Sequence, residues 1–502
     1  MDPAIREPAM PNGTPESVYH ANGIDPDGKY LQLPVPEKLL ADVAVGDPID
    51  PGALATLRER YEKKDAATFG VLGDRSSLAS VGWGVLFAYD DNDRVPDLKK
   101  ALAPLLERRK AQAGSGYYEL DGARAYRAGE SKTQFLKRFN LGPGTVDPAK
   151  LPYYLLIVGD PRQIPFRFQY LLDVQFAVGR IHFDADNAHD ALEKYAQYAR
   201  SVVEAEEKAE QGVLKLPRTA VLFGPQNPGD TATELSVRDL VVPLADELRH
   251  DAPAGWTIAD TVEDDASKAA LRTLLGGSAA PAFVFTASHG LGLKLDDPRL
   301  FTHQGALVCS GWEGPGSKVT DEAIFGADDV DPNANLLGRI VFHFACFGAG
   351  TPRLDDFSTA VGGTAIAPYE FVARLPQAML SHPGGGALAV VGHVDRAWDW
   401  SFHWGTAGAQ RAVFRKTIGD LLAGLPVGVA LDEFSLRYSE ISTLLTEEIA
   451  DVKAGKVRDD ALLARYWTAN SDARNYIVFG DPAVRLRVKD LPMIVSSRAG
   501  SS

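Results

Sequence analysis

The chain of 502 residues contains only two cysteines, Cys309 and Cys346. Two cysteines are too few for a framework of disulfide bonds, and free thiols persist best in a reducing compartment. The N-terminus also lacks the apolar stretch behind basic residues that directs secretion. We therefore expect a cytoplasmic protein. No run of about 18 apolar residues occurs, so the sequence predicts no membrane span.

Positive charge is scarce as well. The chain has 67 Asp and Glu residues against 52 Lys and Arg residues, which gives a formal net charge of -15. Phosphate binding depends on cationic clusters, so this balance disfavours nucleic acid as the main partner. The remaining composition, 45% hydrophobic and 24% charged, is typical of a folded protein. A chain of this length predicts about two to four domains.

Several motifs that would indicate a cofactor or metal site are missing from the sequence. The sequence contains no phosphate-binding loop ending in Gly-Lys-Ser/Thr and no complete dinucleotide fingerprint. Its ten histidines show neither His-Glu-x-x-His nor Cys-x-x-Cys spacing, and no Gly-x-Ser-x-Gly elbow is present. We therefore predict no cofactor and no catalytic metal, and a serine hydrolase is not supported.

Short apolar runs alternate with helical patterns from about residue 80 onward. Strands that are apolar along their whole length are typical of a parallel sheet covered on both faces. The alternation breaks and restarts near residue 215. The sequence therefore predicts an α/β fold of two tandem α/β subdomains with mainly parallel sheets flanked by helices. The clearest predicted strands are Trp83–Asp90, Tyr153–Asp160, Thr219–Gly224, Ala282–Gly290 and Arg339–Gly348.

Two candidate catalytic residues stand at the ends of apolar strands. His289 ends one run and is followed by Gly290, whereas Cys346 ends another and is followed by a glycine-rich turn. Ligands of an open parallel sheet bind just beyond the carboxyl ends of its strands. If the two strands are neighbours, the imidazole can act as base or thiolate counter-ion for the thiol. The backbone amides of Gly290 and Cys346 are then candidate oxyanion donors.

Other interpretations of these residues stay open. A free cysteine at a strand end is most often inert core, so only its pairing with His289 favours catalysis. Cys309 is the competing thiol, with His303 six residues earlier, but its loop of mixed composition indicates a structural role. His343 lies three positions before Cys346, and strand alternation directs its side chain to the opposite face.

Four segments resemble one known family. TASHG (Thr286–Gly290) and HFACFG (His343–Gly348) resemble the His-Gly and Ala-Cys motifs of the caspase-like clan of cysteine peptidases. Within that clan the chain is most similar to the gingipain-type family, because Leu155–Pro165 resembles its first subdomain and Asn475–Val488 resembles its closing strand. The resemblance runs from about residue 150 to 488. It implies the caspase–hemoglobinase fold, with His289 as catalytic histidine and Cys346 as nucleophile.

The resemblance also implies a specificity pocket. The segment that contains Asp230 is similar to the one whose Asp lines the pocket of arginine-cleaving gingipains, and Gly392–Trp398 is similar to the one whose Trp covers it. Carried over, Asp230 would pair with a substrate Arg or Lys, and Trp398 would stack on that side chain. Asp230 could equally cap its helix, and Trp398 could lie in the core. Reserve candidates in the same loop are Asp395, Asp399 and Trp404.

The predicted function is a cysteine endopeptidase that forms a thioester acyl-enzyme on Cys346, cleaves after Arg or Lys, and is kept inactive until triggered. Its expected partners are a protein or peptide substrate and a regulatory protein. The leader or the loop Leu291–Asn335 would block the cleft. Two alternatives remain open: a related caspase-like protease of other specificity that cuts one partner protein, and a non-catalytic binding module.

The predicted organisation follows from these assignments. An irregular leader (1–75), which is a candidate regulatory segment, precedes a first, non-catalytic α/β subdomain (76–215). A catalytic α/β subdomain with His289 and Cys346 (216–425) and C-terminal helices with a closing strand (426–502) follow.

Overall fold

The computed structural model describes residues 18–19, 22–31, 35–36, 38, 41–42, 44, 71–358, 363–404 and 409–488. Much of the predicted leader therefore lies outside the described residues. A ten-stranded sheet forms the centre of the molecule. Its strands in chain order are β1 (Trp83–Phe87), β2 (Tyr117–Leu120), β3 (Tyr154–Val158), β4 (Ala177–Ile181), β5 (Thr219–Gly224), β6 (Thr257–Val262), β7 (Phe283–Ala287), β8 (Ile340–Phe344), β9 (Ala389–His393) and β10 (Tyr476–Gly480).

The sheet consists of two parallel blocks. Across the sheet the strands run in the order β2-β1-β3-β4-β10-β9-β8-β7-β5-β6. Neighbouring strands are parallel everywhere except between β9 and β10, where Ala389 lies opposite Gly480. The strand β10, near the C-terminus, thus joins the two blocks into one continuous sheet. The predicted α/β fold with mainly parallel strands is confirmed, while the boundaries of its subdomains stay a prediction.

Helices cover the sheet, and their apolar faces follow the sequence pattern. In the helix Val95–Ala113, Pro96 stands in the first turn, where no backbone donor is needed, and four leucines at helical spacing are buried. Ser131 and Gln134 form a capping box at the start of Lys132–Arg138. The helices are α1 (Leu78–Val81), α2 (Val95–Ala113), α3 (Lys132–Arg138), α4 (Phe166–Asp173), α5 (Ala188–Glu210), α6 (Thr231–Leu235), α7 (Val242–Asp251), α8 (Lys268–Gly276), α9 (Leu300–His303), α10 (Arg374–Leu380), α11 (Ala412–Leu422), α12 (Val427–Ala430), α13 (Asp432–Lys453) and α14 (Asp460–Arg474).

None of the helices in the described ranges is long and apolar enough to cross a membrane.

A buried ion cluster ties the end of β10 to the helices. Arg109 lies 2.8 Å from Glu206 and 2.6 Å from Asp481, and all three side chains are almost fully buried. Asp481 also accepts a hydrogen bond from the indole of Trp83 at 3.0 Å. Burial alone would raise the pKa of Glu206, but Arg109, Arg487 and Arg108 together outweigh burial and lower it to about 2. The cluster therefore stays charged and holds α2, α5 and the closing strand together.

A second, four-stranded sheet lies beyond the carboxyl end of β7. It consists of Ile324–Phe325, Leu307–Val308, His289–Leu291 and Gly23–Ile24, in that order. Gly23–Ile24 comes from the predicted leader and pairs in parallel with His289–Leu291, with Gly290 opposite Gly23. The described part of the leader is therefore docked against the segment that carries the candidate histidine.

Candidate active site

The register of β7 and β8 brings His289 and Cys346 to one edge of the sheet. Ala287 lies opposite Phe344, and His289 and Cys346 each follow two residues later. The amide of Ser288 donates to the carbonyl of Phe344 at 3.2 Å, so the pairing extends toward both residues. A Cβ on Gly290 would overlap the carbonyl oxygen of Cys346. The two segments therefore touch at their backbones, and only glycine fits after the histidine.

The turn after Cys346 is held in an unusual conformation. Phe347 has φ +58°, which is uncommon for a non-glycine residue and is found most often at functional sites. Its amide donates to the carbonyl of Asp395 at 2.9 Å, and the amide of Ala349 donates to the carbonyl of His393 at 2.9 Å. The loop after β9 thus fixes the turn that presents the thiol.

The thiol of Cys346 is enclosed in this structure. The residue is fully buried, and its Sγ lies 3.8 Å from the carbonyl oxygen of Ala397. Burial raises the pKa of Cys346 well above its ordinary value. The thiol is therefore protonated here, and access of solvent or substrate is needed before it becomes a nucleophile.

Asp230 lies directly behind His289. The Nε2 atom of His289 is 3.0 and 2.9 Å from the two carboxylate oxygens of Asp230, and both side chains are fully buried. Asp230 also accepts hydrogen bonds from the hydroxyls of Tyr30, at 2.8 Å, and Thr233. Burial by itself raises the pKa of Asp230, but His289 and these hydroxyls outweigh burial, so the pKa lies below its ordinary value. A charged carboxylate thus faces the imidazole.

This contact fixes the ring of His289. A carboxylate only accepts hydrogen bonds, so Nε2 carries the proton and Nδ1 is left with a free lone pair. Nδ1 is buried and has no hydrogen-bond partner among the described residues. The rings of Tyr30 and Trp312 meet the imidazole edge-on, with centroids 5.8 and 6.1 Å away. The arrangement leaves the second ring nitrogen of His289 unbonded within the described residues.

Neither sequence-based interpretation of Asp230 describes these contacts. Asp230 stands at the N-cap position of α6, yet its side chain makes no capping bond. Both of its oxygens face His289, so it presents no free carboxylate to a substrate cation. A usable signal was present in the sequence, because Asp230 follows β5, the strand next to β7.

Two backbone amides converge on one oxygen. The N–H groups of Gly290 and Cys346 donate to the carbonyl oxygen of Asn22, at 3.0 and 3.1 Å. The amide of Asn22 in turn donates to the carbonyl of Ala397 at 2.9 Å. A Cβ on Gly23 would lie 2.8 Å from Cys346 Sγ, so the chain passes directly over the sulfur. Sequence reasoning missed Asn22 because this contact uses backbone atoms that any residue could supply.

The leader segment, residues 22–31, is anchored beyond the sulfur by a tight turn. Gly28 has φ +76°, and a Cβ there would overlap the carbonyl oxygen of Ser317. The carbonyl of Gly28 accepts from Gly316 at 2.8 Å, and that of Pro26 accepts from Val319 at 3.0 Å. The loop Leu291–Asn335 thus holds the leader segment in place, and the leader segment itself covers the thiol.

Trp398 lies near the thiol but faces inward. It is fully buried, its ring packs on Phe357 with centroids 4.6 Å apart, and its amide donates to Asp472 at 3.0 Å. It belongs to the same apolar cluster as Cys346. Stacking of Trp398 on a substrate side chain therefore stays a prediction.

The reserve and competing residues have other surroundings. Burial, with a contribution from Asp356, raises the pKa of Asp395 to about 8 although Arg396 opposes the shift. Asp399 is buried, and Trp404 packs near Tyr466. Cys309 lies in the main core, where burial raises its pKa to about 12.

His343 is also buried and is bound by the hydroxyl of Thr286 at 2.9 Å. Burial lowers its pKa to about 3, so it is neutral.

No group of three or more His, Cys, Asp or Glu side chains within the described ranges is arranged to hold a metal ion.

A thiol, an imidazole backed by a carboxylate and two convergent amides are the parts of a cysteine-peptidase site. Residues 95–487 match the sequence model of peptidase family C25, and the chain belongs to this family. It is therefore a cysteine-type peptidase, a hydrolase that acts on proteins or peptides, and the resemblance to the gingipain-type family is confirmed. A comparison with curated proteins finds no match. The chain is also similar to a solved structure described as "Structure of Protease", with 12% identity, 81% of this chain and 78% of that chain covered, and a TM-score of 0.43.

Proposed function

We propose that the chain is an endopeptidase in which Cys346, His289 and Asp230 act together. His289 Nδ1 takes the thiol proton, Cys346 Sγ attacks the scissile carbonyl carbon, and the amides of Gly290 and Cys346 bind the oxyanion. His289 then gives the proton to the leaving amine, and water hydrolyses the thioester to release the acid and the thiol. The observation that carries the proposal is the carbonyl oxygen of Asn22, held by both amides at 3.0 and 3.1 Å.

Asp230 serves as a positioning residue in this proposal. Its carboxylate holds the proton on Nε2 of His289, which leaves Nδ1 as the base, and it stabilises the imidazolium that forms during attack. The low pKa of Asp230, which the contacts of His289 and two hydroxyls produce against the effect of burial, keeps it charged for this task. The dyad expected from the sequence thus becomes a triad.

The leader segment keeps this peptidase inactive until it is displaced. Its Asn22 carbonyl fills the oxyanion site, and Gly23 covers the sulfur. Burial under the leader segment also keeps the thiol protonated. A regulatory partner or a cleavage in the leader would supply the trigger by removing these contacts.

The preference for Arg or Lys stays a prediction. It rested on a carboxylate in the specificity pocket, and both oxygens of Asp230 are engaged with His289. Asp395, the other buried carboxyl in the loop before Trp398, has a pKa raised by burial to about 8 and is therefore largely neutral at pH 7. These contacts give a basic side chain little electrostatic support.

Labelling of the thiol tests the proposal. The full chain carrying Gly28→Ala, which loosens the leader segment, is treated with a peptide-based acylating inhibitor and assayed on a mixed peptide library. We expect peptide cleavage and label on Cys346, both abolished by Cys346→Ala and both retained in the matched variant Cys309→Ala. Label on Cys309, or cleavage that survives Cys346→Ala, would overturn the assignment.

A further inference from the structure

The side chain of Asn22 fills a closed pocket beside the catalytic residues. Asn22 is fully buried, and its Nδ2 donates to the hydroxyl oxygen of Ser236 at 3.0 Å. Its backbone carbonyl oxygen accepts from the amides of Gly290 and Cys346, and its backbone amide donates to the carbonyl of Ala397. A residue whose carbonyl enters the oxyanion site stands immediately before the bond that Cys346 attacks. The pocket around the Asn22 side chain is therefore the one that binds the side chain of the substrate residue before the cleaved bond.

The chemistry of the pocket suits an amide. The hydroxyl of Ser236 donates its own proton to the carbonyl of Ala232 at 3.0 Å, so the Ser236 oxygen faces the pocket as an acceptor. An acceptor matches the NH2 group of asparagine, whereas a carboxylate would place two acceptors against each other without a proton between them. The other amide atom of Asn22, Oδ1, is buried with no hydrogen-bond partner among the described residues, so the amide is held through Nδ2.

Long basic side chains fit this pocket less well. Ser236 is fully buried and is reached by an amide only two bonds beyond the Cβ atom of Asn22. A lysine or arginine would extend past this point and bring its charge into a buried site. The buried carboxylate of Asp230, which precedes Ser236 on the same segment, already binds His289, Tyr30 and Thr233. A buried charge without a counter-ion is strongly unfavourable.

The position after Asn22 is also restricted. A Cβ on Gly23 would lie 2.8 Å from Cys346 Sγ and 2.5 Å from a methyl carbon of Leu31. Leu31 leaves with the leader segment, but the sulfur stays. Glycine is thus the residue that lets the chain pass closely over the nucleophile.

We propose that this peptidase cleaves after asparagine, with Ser236 as the residue that determines specificity and with glycine favoured after the cleaved bond. The inference rests on the proposed function and names the substrate class of the same site. In the reaction, Cys346 Sγ bonds to the asparagine carbonyl carbon, the bond to the glycine nitrogen breaks, and that nitrogen takes the proton from His289. Water then splits the thioester into the asparagine carboxylate and the free thiol.

The test uses the full chain with Gly28→Ala and internally quenched peptides that differ only at residue X of an X-Gly pair. With X as Asn, Gln, Asp, Ala, Arg or Lys, we expect the highest kcat/KM for Asn, about tenfold or more above Asp and Arg. Adding Ser236→Ala should lower the ratio of kcat/KM for Asn over Ala peptides about tenfold, because the buried amide loses its acceptor. The ratio does not depend on the folded fraction of the enzyme. Replacing the following glycine by valine should lower the rate for the Asn peptide.

The outcomes separate the two proposals. A preference for Arg, Lys or Asp, or an Asn-to-Ala ratio that Ser236→Ala leaves unchanged, overturns the asparagine specificity and leaves the peptidase standing. Hydrolysis of no peptide by the Gly28→Ala chain, together with no labelling of Cys346, overturns both.

Discussion

Replacing Gly28 by alanine should open the active site without touching a catalytic group. Gly28 lies in the turn of the leader segment at φ +76°, and a methyl group there would overlap the carbonyl oxygen of Ser317. Both penalties apply only while the leader segment is docked, because a released chain adopts other φ values freely. The substitution therefore acts on the closed state alone.

The size of the effect follows from two costs. A left-handed conformation costs an L-residue roughly 1–2 kcal/mol. Overpacking against backbone that must shift costs about 1–3 kcal/mol more. The closed state is thus destabilised by about 2–5 kcal/mol relative to the open state. The open fraction increases by a factor of roughly 30 to several thousand, as long as the open state remains the minor one.

The rate of alkylation of Cys346 by iodoacetamide measures the open fraction. Peptide mapping by mass spectrometry separates this label from label on Cys309. The matched control is Gly129→Ala, because Gly129 has φ +74° and nothing lies within 4 Å of a Cβ placed there. We expect Gly28→Ala to react at least about 30 times faster than wild type and Gly129→Ala to react at the wild-type rate. Equal rates for the two variants would refute the inhibitory role of the leader segment.

Three further substitutions test other parts of the arrangement. In the Gly28→Ala background, Asp230→Asn should lower the kcat of the folded enzyme roughly 10³- to 10⁴-fold, because the imidazole of His289 loses its fixed tautomer. Partial recovery in Asp230→Glu and a shifted pH profile are expected, and a normal kcat would contradict the positioning role. Arg109→Met removes the ion-pair partner of the buried Asp481, while Glu206 keeps Arg108 and the more distant Arg487. The substitution should lower the free energy of unfolding by about 3–5 kcal/mol in urea titrations; a loss below about 1 kcal/mol would contradict the ion cluster. Asp395 has a pKa raised to about 8 by burial, so its neutral form favours the fold, and this stabilisation is complete below about pH 4 and is lost as pH rises through 8. This loss of stability appears as a urea midpoint that falls as pH rises. Asp395→Asn should reduce that fall, whereas an unchanged dependence of the midpoint on pH would contradict this role of Asp395.

Much of the fold and the placement of His289 and Cys346 at one edge of the sheet could be predicted because both depend on short stretches of sequence. A strand that is apolar along its whole length indicates a parallel sheet, and residues that follow neighbouring parallel strands meet at one edge of that sheet. The contact of Asp230 with His289 was not predicted, since an aspartate at a helix start suggests a cap or a pocket. No sequence pattern pointed to Asn22 or Tyr30 as residues of the site. Their contacts span 214 and 200 residues and come from a segment without periodicity, so only the folded chain brings them to the site.

Inhibition and specificity depend on the same atoms in the proposed arrangement. Asn22 uses the Ser236 hydroxyl and the two oxyanion donors that a substrate would use, so the leader segment competes with every substrate for them. In the chain with an intact leader turn, Ser236→Ala should therefore weaken docking and speed alkylation of Cys346 about tenfold. The same change lowers kcat/KM for asparagine peptides, so the two effects oppose each other in any measurement of activity. Alkylation reports only the first effect and the peptide ratio only the second. If Ser236→Ala changed the ratio and left alkylation at the wild-type rate, docking of the leader segment would not depend on its Asn22 side chain.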